Sequence, residues 1–337
     1  MTPARWSKKS SAINTQTNRA QARRGVTLTI ELRRAFAFLL LCVKFSAAMQ
    51  TQTTGQQRVK DAPSQEPKEQ AYLYDLYMAP LWREAFDQMV DEEVKVPAEV
   101  LEAGVFLDAE CGTGSYAVDL LLRAGKKAVV VGIDASPEKL VLARGKASVQ
   151  MVTERVTFRQ GTLQALGVAA NAFDWIIADA SLTPANAIGA ALAELQRVAK
   201  KDATVVLKLT TRGSFDEFFS VYWETLFDLD LNEYTPQLES LIAAPLTLTN
   251  VEAQAAAAGW KNIRTVTRKE SFPFADGATF LSSPLIETGF LRAWLAFLPD
   301  AAARERVKRH LPEVIDRARQ ALDFDVSIKA TLLIAQK

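Results

Sequence analysis

The chain has 337 residues, about half of them apolar, and a net charge of +1, enough for one large α/β core with an appended element. Residues 1–48 hold nine Lys/Arg and one acid, +8, which leaves −7 on the remainder and argues against nucleic acid as a partner of the body. Two cysteines, Cys42 and Cys111, and a single histidine, His310, exclude a disulfide framework, make a metal site improbable, and suggest a reducing, cytoplasmic setting.

The basic leader is rich in Arg, Ser and Thr and ends in AFAFLLLCV, too short to span a bilayer. It reads as a targeting segment, a poor secretory signal, or sequence upstream of a true start at Met49; the last is adopted, because Met49 opens a polar tract typical of a ragged N-terminus. Residues 1–70 are therefore expected outside the fold, and residues 71–337 within it. From Ala71, AYLYDLYMAPLWREAFDQMVDEEV carries apolar residues at helical spacing and is expected as two short helices broken at Pro80. Tyr72, Tyr74, Tyr77 and Trp82 read singly as core residues and together as a lid.

After Gly104 the chain alternates strand and helix. VFLDA is a strand; SYAVDLLLRAG is a helix; KAVVVGID is a strand too continuously apolar to face water. SPEKLVLARGKASV opens with a Ser N-cap and a Pro at the first helical position. RVTFRQG, AFDWIIADA and ATVVLKLTT are further strands, with a helix over PANAIGAALAELQRVAKK. This pattern predicts a doubly wound, Rossmann-like parallel sheet with its ligand at the carboxyl ends of the strands. Downstream, GSFDEFFSVYWETLFDLDL and TNVEAQAAAAGW are helical, and NIRTVTRKESF and DFDVSIKATLLIAQK alternate as strands. Residues 275–322 form an insertion of about fifty residues, expected to be helical and to sit where an acceptor could be selected. Phe290, Trp294 and Phe297 read as helix-packing residues within it.

The turn after the first strand, DAECGTGSYA, admits two ligand classes. Gly112 to Ala117 fits the dinucleotide spacing G-x-G-x-x-A, and Asp134 lies where that fold places its ribose-binding acid. Asp108 and Glu110 oppose this reading, since carboxylates beside a pyrophosphate repel it. A ligand with positive charge fits them better.

VFLDAECGTG, VGIDASPEKLVLAR, VTFRQGTLQAL and FDWIIADASL together resemble the motif series of class I S-adenosylmethionine-dependent methyltransferases, in particular the small-molecule, ubiquinone/menaquinone-type group. The similarity covers about residues 72–211. It implies a seven-stranded sheet with the last strand antiparallel, S-adenosylmethionine as cofactor, and a small or lipophilic methyl acceptor. It places Asp108 near the methionyl ammonium and Asp134 on both ribose hydroxyls. Gly112 and Gly114 would let the backbone approach the cofactor, and Ala135 and Leu163 would flank adenine. Where the family usually has glycine, this chain has Glu110; where it usually has an acid for the adenine amino group, it has Thr162. Asp179, ending the fourth strand, completes the cofactor set. Methyl transfer demands no catalytic residue, because the sulfonium is already activated; if a base is needed, Asp179, Tyr222 and His310 are the candidates. The fourth-strand DASL departs from the [DN]PPY pattern of amino-nucleobase methylases. A nicotinamide oxidoreductase and a cofactor-binding fold without transfer remain the alternatives.

Overall fold

The computed structural model describes residues 66–319 and 322–337. The expectations for the leader and for Met49 lie outside the described residues. Strands β1 (Val105–Ala109), β2 (Val129–Asp134), β3 (Val156–Gln160), β4 (Phe173–Asp179), β5 (Ala199–Thr211), β6 (Lys261–Phe274) and β7 (Phe324–Gln336) form one sheet in the order β3-β2-β1-β4-β5-β7-β6. β1 to β5 are mutually parallel, and β7, the last strand in the chain, runs antiparallel to both β5 and β6. The expected doubly wound sheet with an antiparallel last strand is what forms.

Strand periodicity divides the core between two faces. Phe106, Ile177 and Val206 pack on one side of the sheet, and their neighbours Leu107, Ile176 and Val205 on the other. Both faces of the central strands are thus buried, which is why they read as continuous apolar runs.

The polypeptide enters through α1 (Glu66–Leu73), continues as a π-helical stretch Tyr74–Arg83, and ends in α2 (Glu84–Glu93). The expected break at Pro80 does not occur. The Glu84 N–H reaches back to the Ala79 carbonyl, five residues earlier, so the wider helix carries the chain past a residue that cannot donate. α3 (Ala98–Ala103) leads into β1, and α4 (Ser115–Arg123) and α5 (Pro137–Val149) connect β1 to β3. Ser136 caps α5 as expected, accepting from the Lys139 N–H at 3.2 Å. α6 (Ile188–Val198) precedes β5, and its expected Ala199–Lys201 tail belongs to that strand instead. α7 (Asp216–Asp228), α8 (Thr235–Ala243) and α9 (Leu248–Ala257) join β5 to β6.

Between β6 and β7 lie α10 (Gly277–Ser282), a π-helical turn Glu287–Leu291 and α11 (Ala301–Ala318). Their aromatic residues face inward. Trp294 stacks on Phe218 of α7 at 4.3 Å and on Phe290 at 5.2 Å, and Phe297 meets Tyr222 at 5.7 Å. Trp82 joins the same cluster against Phe215, Phe272 and Phe290. These rings fill one another's space and leave Trp82 as the cluster's member on the cleft described below.

Candidate active site

Sheet order reverses between β1 and β4, whose carboxyl ends lie side by side, with Asp108 paired in register to Ile177. From Asp108 the chain turns through three left-handed positions, Glu110 at φ 54°, Gly112 at 58° and Gly114 at 74°. Glycine accepts that conformation freely; Glu110 holds it against steric cost. The two glycines answer different neighbours. A Cβ on Gly112 would come within 2.7 Å of the Tyr74 hydroxyl and 2.9 Å of Arg83 Nη1, whereas one on Gly114 would come within 2.7 Å of Ala143 Cβ in α5. Gly114 is therefore required by packing within the chain, and Gly112 by the wall above the turn.

That wall is the π-helical stretch, and its buried Arg83 is the centre of the arrangement. Arg83 Nη1 donates to the Glu110 carbonyl at 2.5 Å and lies 3.4 Å from the Tyr74 hydroxyl. Its Nη2 is 3.7 Å from Asp108 Oδ1, and its Nε is 3.7 Å from Asp179 Oδ2, both too long for hydrogen bonds. Among the described residues, Arg83 Nη2 and both carboxylate oxygens of Asp108 are buried without a hydrogen-bond partner. Burial pushes the Asp108 carboxyl up to about 6, although Arg83 and Lys208 pull against it.

Two salt-bridge networks hold the helical segment in place. Asp75 accepts from Thr113 of the turn at 2.5 Å and pairs with Lys146 of α5, which also donates to Thr113 at 2.9 Å and Ser115 at 2.7 Å. Asp87 of α2 pairs with Lys208 of β5, a lysine with no solvent exposure.

The cleft between wall and strand ends has a volume of about 280 Å³. One end is bounded by Asp134, Lys139, Thr162 and Leu163, the other by Trp82, Asp179, Ser181 and Leu182. Asp134 is nearly buried; its Oδ2 accepts the Gly112 N–H at 2.8 Å and its Oδ1 the Ser136 N–H at 2.9 Å. Each oxygen keeps a further lone pair for a ligand hydroxyl. Burial, and next the Asp134 charge, raise the Glu110 carboxyl to about 7, with Lys139 opposing. Burial would also raise Asp179, but Arg83, Lys208 and two hydrogen bonds from Ser181 outweigh it and hold that carboxyl below its ordinary range.

Of the residues expected from sequence, Glu110, Asp134, Thr162, Leu163 and Asp179 line the cleft; Asp108, Gly112 and Gly114 are buried and are not among its lining residues. Ala135 stands apart: it is exposed, is not a lining residue, and its carbonyl takes the Gln160 side chain at 3.0 Å. Tyr222 and His310 are corrected as candidate bases. Tyr222 is fully buried and donates to the Trp294 carbonyl at 3.1 Å, with burial raising its hydroxyl above the usual range. His310 lies 3.0 Å from Glu313 and 3.2 Å from Asp228, in a separate hollow with Leu229 and Arg306. Of the expected lid, Trp82 and Tyr74 reach the cleft, while Tyr72 and Tyr77 are exposed. Sequence reasoning missed Arg83, Lys139 and Ser181. Arg83 left one signal, a cation among the apolar positions of MAPLWREAF. Among the described residues no His/Cys/Asp/Glu group could hold a metal, and no helix is long and apolar enough to cross a membrane.

Residues 101–224 match the family model described as Methyltransferase domain. A demethylmenaquinone methyltransferase of Lactiplantibacillus plantarum is 33% identical over 106 residues, covering 32% of this chain and 45% of that protein. One from Shouchella clausii is 27% identical over 149 residues, covering 41% of this chain and 63% of that protein. The chain thus spans about half the length of the curated relatives it matches. Among solved structures, the YcgJ protein of Bacillus subtilis aligns over 76% of this chain and 98% of its own, at 20% identity and a TM-score of 0.47.

Proposed function

We propose that this chain, whose residues 101–224 match a family model described as Methyltransferase domain, binds S-adenosylmethionine in the cleft and transfers its methyl group to a small or lipophilic acceptor. The observation that carries this reading is the unpartnered buried pair of Asp108 and Arg83, of which Arg83 lines the cleft. Asp108 offers two carboxylate oxygens and Arg83 one guanidinium nitrogen, all buried and without hydrogen bonds among the described residues. Buried polar atoms of both signs, side by side, match a zwitterionic α-amino acid, with ammonium to Asp108 and carboxylate to Arg83. A nicotinamide dinucleotide offers no such group, and its pyrophosphate would meet Asp108, Glu110 and Asp134.

Asp134 is placed to accept the ribose hydroxyls with the lone pairs its backbone bonds leave over. Leu163 and Thr162 would bound the adenine, Leu163 by apolar contact and Thr162 by its hydroxyl. The exposure of Ala135 leaves it a peripheral role at that edge. When bound, the cofactor supplies a methyl group on a sulfonium, already activated for in-line displacement. The chain's own task is to hold donor and acceptor in line and to exclude water, which the wall of Tyr74, Trp82 and Arg83 does from above.

Calorimetric titration with S-adenosylmethionine and with NAD, in parallel, tests this. Binding of the first and none of the second is expected; the reverse would establish a nicotinamide enzyme. Methyl-labelled donor incubated with acceptor extracts separates transfer from binding alone.

A further inference from the structure

Asp179 has one carboxylate oxygen fixed and the other free. Its Oδ1 accepts both the Ser181 hydroxyl at 2.5 Å and the Ser181 N–H at 3.0 Å. Ser181 is itself held by Trp82, whose Nε1–H donates to Oγ at 2.8 Å, and Trp82 is locked between Phe215 and Phe272. Three layers of contact thus orient one carboxylate. Its Oδ2 receives no hydrogen bond among the described residues; the nearest donor, Arg83 Nε, stays at 3.7 Å while Nη1 of the same guanidinium is committed to the Glu110 carbonyl. Among the described residues Oδ2 faces only the Arg83 guanidinium, as a longer ion pair without a hydrogen bond, and a rigid chain of donors sets where it points.

The cleft lining combines Trp82, Leu182 and Pro184 with the polar Ser181 and Thr183, and the Arg83 guanidinium lies on one side of the carboxylate. An anionic oxygen framed by an aromatic face and aliphatic contacts suits a group that donates N–H and gains positive charge.

We infer that the methyl acceptor is a small amine, and that Asp179 selects it by accepting its N–H at Oδ2. This rests on the methyltransferase reading above. The step balances without a further reagent: the acceptor first gives its ammonium proton to water, the freed nitrogen lone pair forms the C–N bond, the C–S bonding pair returns to sulfur, and the product leaves as the alkylammonium. Positive charge moves from sulfur to nitrogen during the step, so a fixed anion at nitrogen stabilises the transition state more than the ground state. The same anion repels a phenolate or enolate, whose negative charge must approach the identical point. Asp179 is suited to a constant negative charge, since its neighbours keep it ionised, and poorly suited to be a base.

The test uses the full chain loaded with S-adenosylhomocysteine and titrated with benzylamine and benzyl alcohol. Benzylamine is expected to bind about tenfold or more tighter. Asp179→Asn should reduce that ratio about fivefold or more, while Glu313→Gln, removing an acid of the separate hollow at His310, changes it less than about twofold. Ser181→Ala, which frees Oδ1 without removing charge, should give an intermediate ratio. With S-adenosylmethionine in place of the product, tyramine should be methylated on nitrogen and not on its phenol oxygen. Equal affinities in the wild type, a ratio that Asp179→Asn leaves unchanged, or O-methyl tyramine as the main product would each overturn the inference. Failure of S-adenosylhomocysteine to bind would instead remove the methyltransferase reading beneath it.

Discussion

The two walls of the cleft are built on opposite principles. The strand-end wall, from Asp108 to Gly114 and on to Asp134, is defined by backbone: left-handed turns, a short strand, and carboxylates whose position follows from where each strand stops. The helical wall is defined by side chains: Arg83, Trp82 and Tyr74 reach the site because Asp75 and Asp87 tie their helix to α5 and β5. The first supplies anions and the second a cation. A site for a zwitterion needs both, and the difference predicts that each wall fails differently when altered.

The largest effect is expected at the helical wall. Arg83→Met leaves Asp108 buried without its cation, and breaking such a pair costs about 3–5 kcal/mol. Thermal unfolding should show that loss, and calorimetry a weakening of S-adenosylmethionine binding by about a hundredfold or more. Lys208→Met comes next. It strips Asp87 of its partner, but that carboxylate is 19% exposed and can be hydrated, so about 2–3 kcal/mol is expected. Because it touches the tether and not the ligand, it should weaken cofactor binding far less than Arg83→Met. Equal losses in affinity would mean that the tether, not the guanidinium, governs the site.

On the strand-end wall, Asp134→Ala should weaken cofactor binding about tenfold or more. It should also cost about 1–3 kcal/mol of stability, because it orphans the Gly112 and Ser136 N–H groups. From sequence alone this carboxylate reads as a ribose ligand on a surface-facing strand end; the structure adds the structural half of its role. An affinity loss with no change in thermal midpoint would contradict that half.

What sequence could and could not show follows the same division. The turn, its two glycines, the strand-end acids and the α5 cap are local features, written in consecutive residues such as DAECGTG and DASPEK, and they could be placed without knowing the fold. Arg83 could not, because its partners Glu110, Asp108 and Asp179 are 25 or more positions away. Pro80 pointed the wrong way: proline breaks an α-helix, and the π-helical geometry that accommodates it has no local signature. Tyr222 and His310 show the limit of residue type as a guide, since each carries suitable chemistry and neither reaches the cleft. The aromatic residues of α7 and of the insertion pack on one another, as the helix-packing reading of Phe290, Trp294 and Phe297 expects.

The smallest effect is expected at Glu110, where two local rules are broken at once. Its carboxyl, raised to about 7, leaves the folded chain holding more protons than the unfolded chain between pH 4.5 and 7, so stability falls as pH rises through that window. Asp108, raised to about 6, acts in the same direction at slightly lower pH. Glu110→Gly removes a half-buried acid and a left-handed non-glycine residue together, and should stabilise by about 1–2 kcal/mol at pH 8 and by less at pH 5. A gain independent of pH would assign the effect to backbone strain alone.

The zwitterion site itself is tested most directly by comparing S-adenosylhomocysteine with 5′-methylthioadenosine, a thioether like it that keeps the adenosine and the sulfur but lacks the ammonium and carboxylate. If Asp108 and Arg83 hold those two groups, the truncated ligand should bind about a hundredfold or more weaker to the wild type, and the gap should narrow in Arg83→Met. Equal affinity of the two ligands for the wild-type chain would contradict the account.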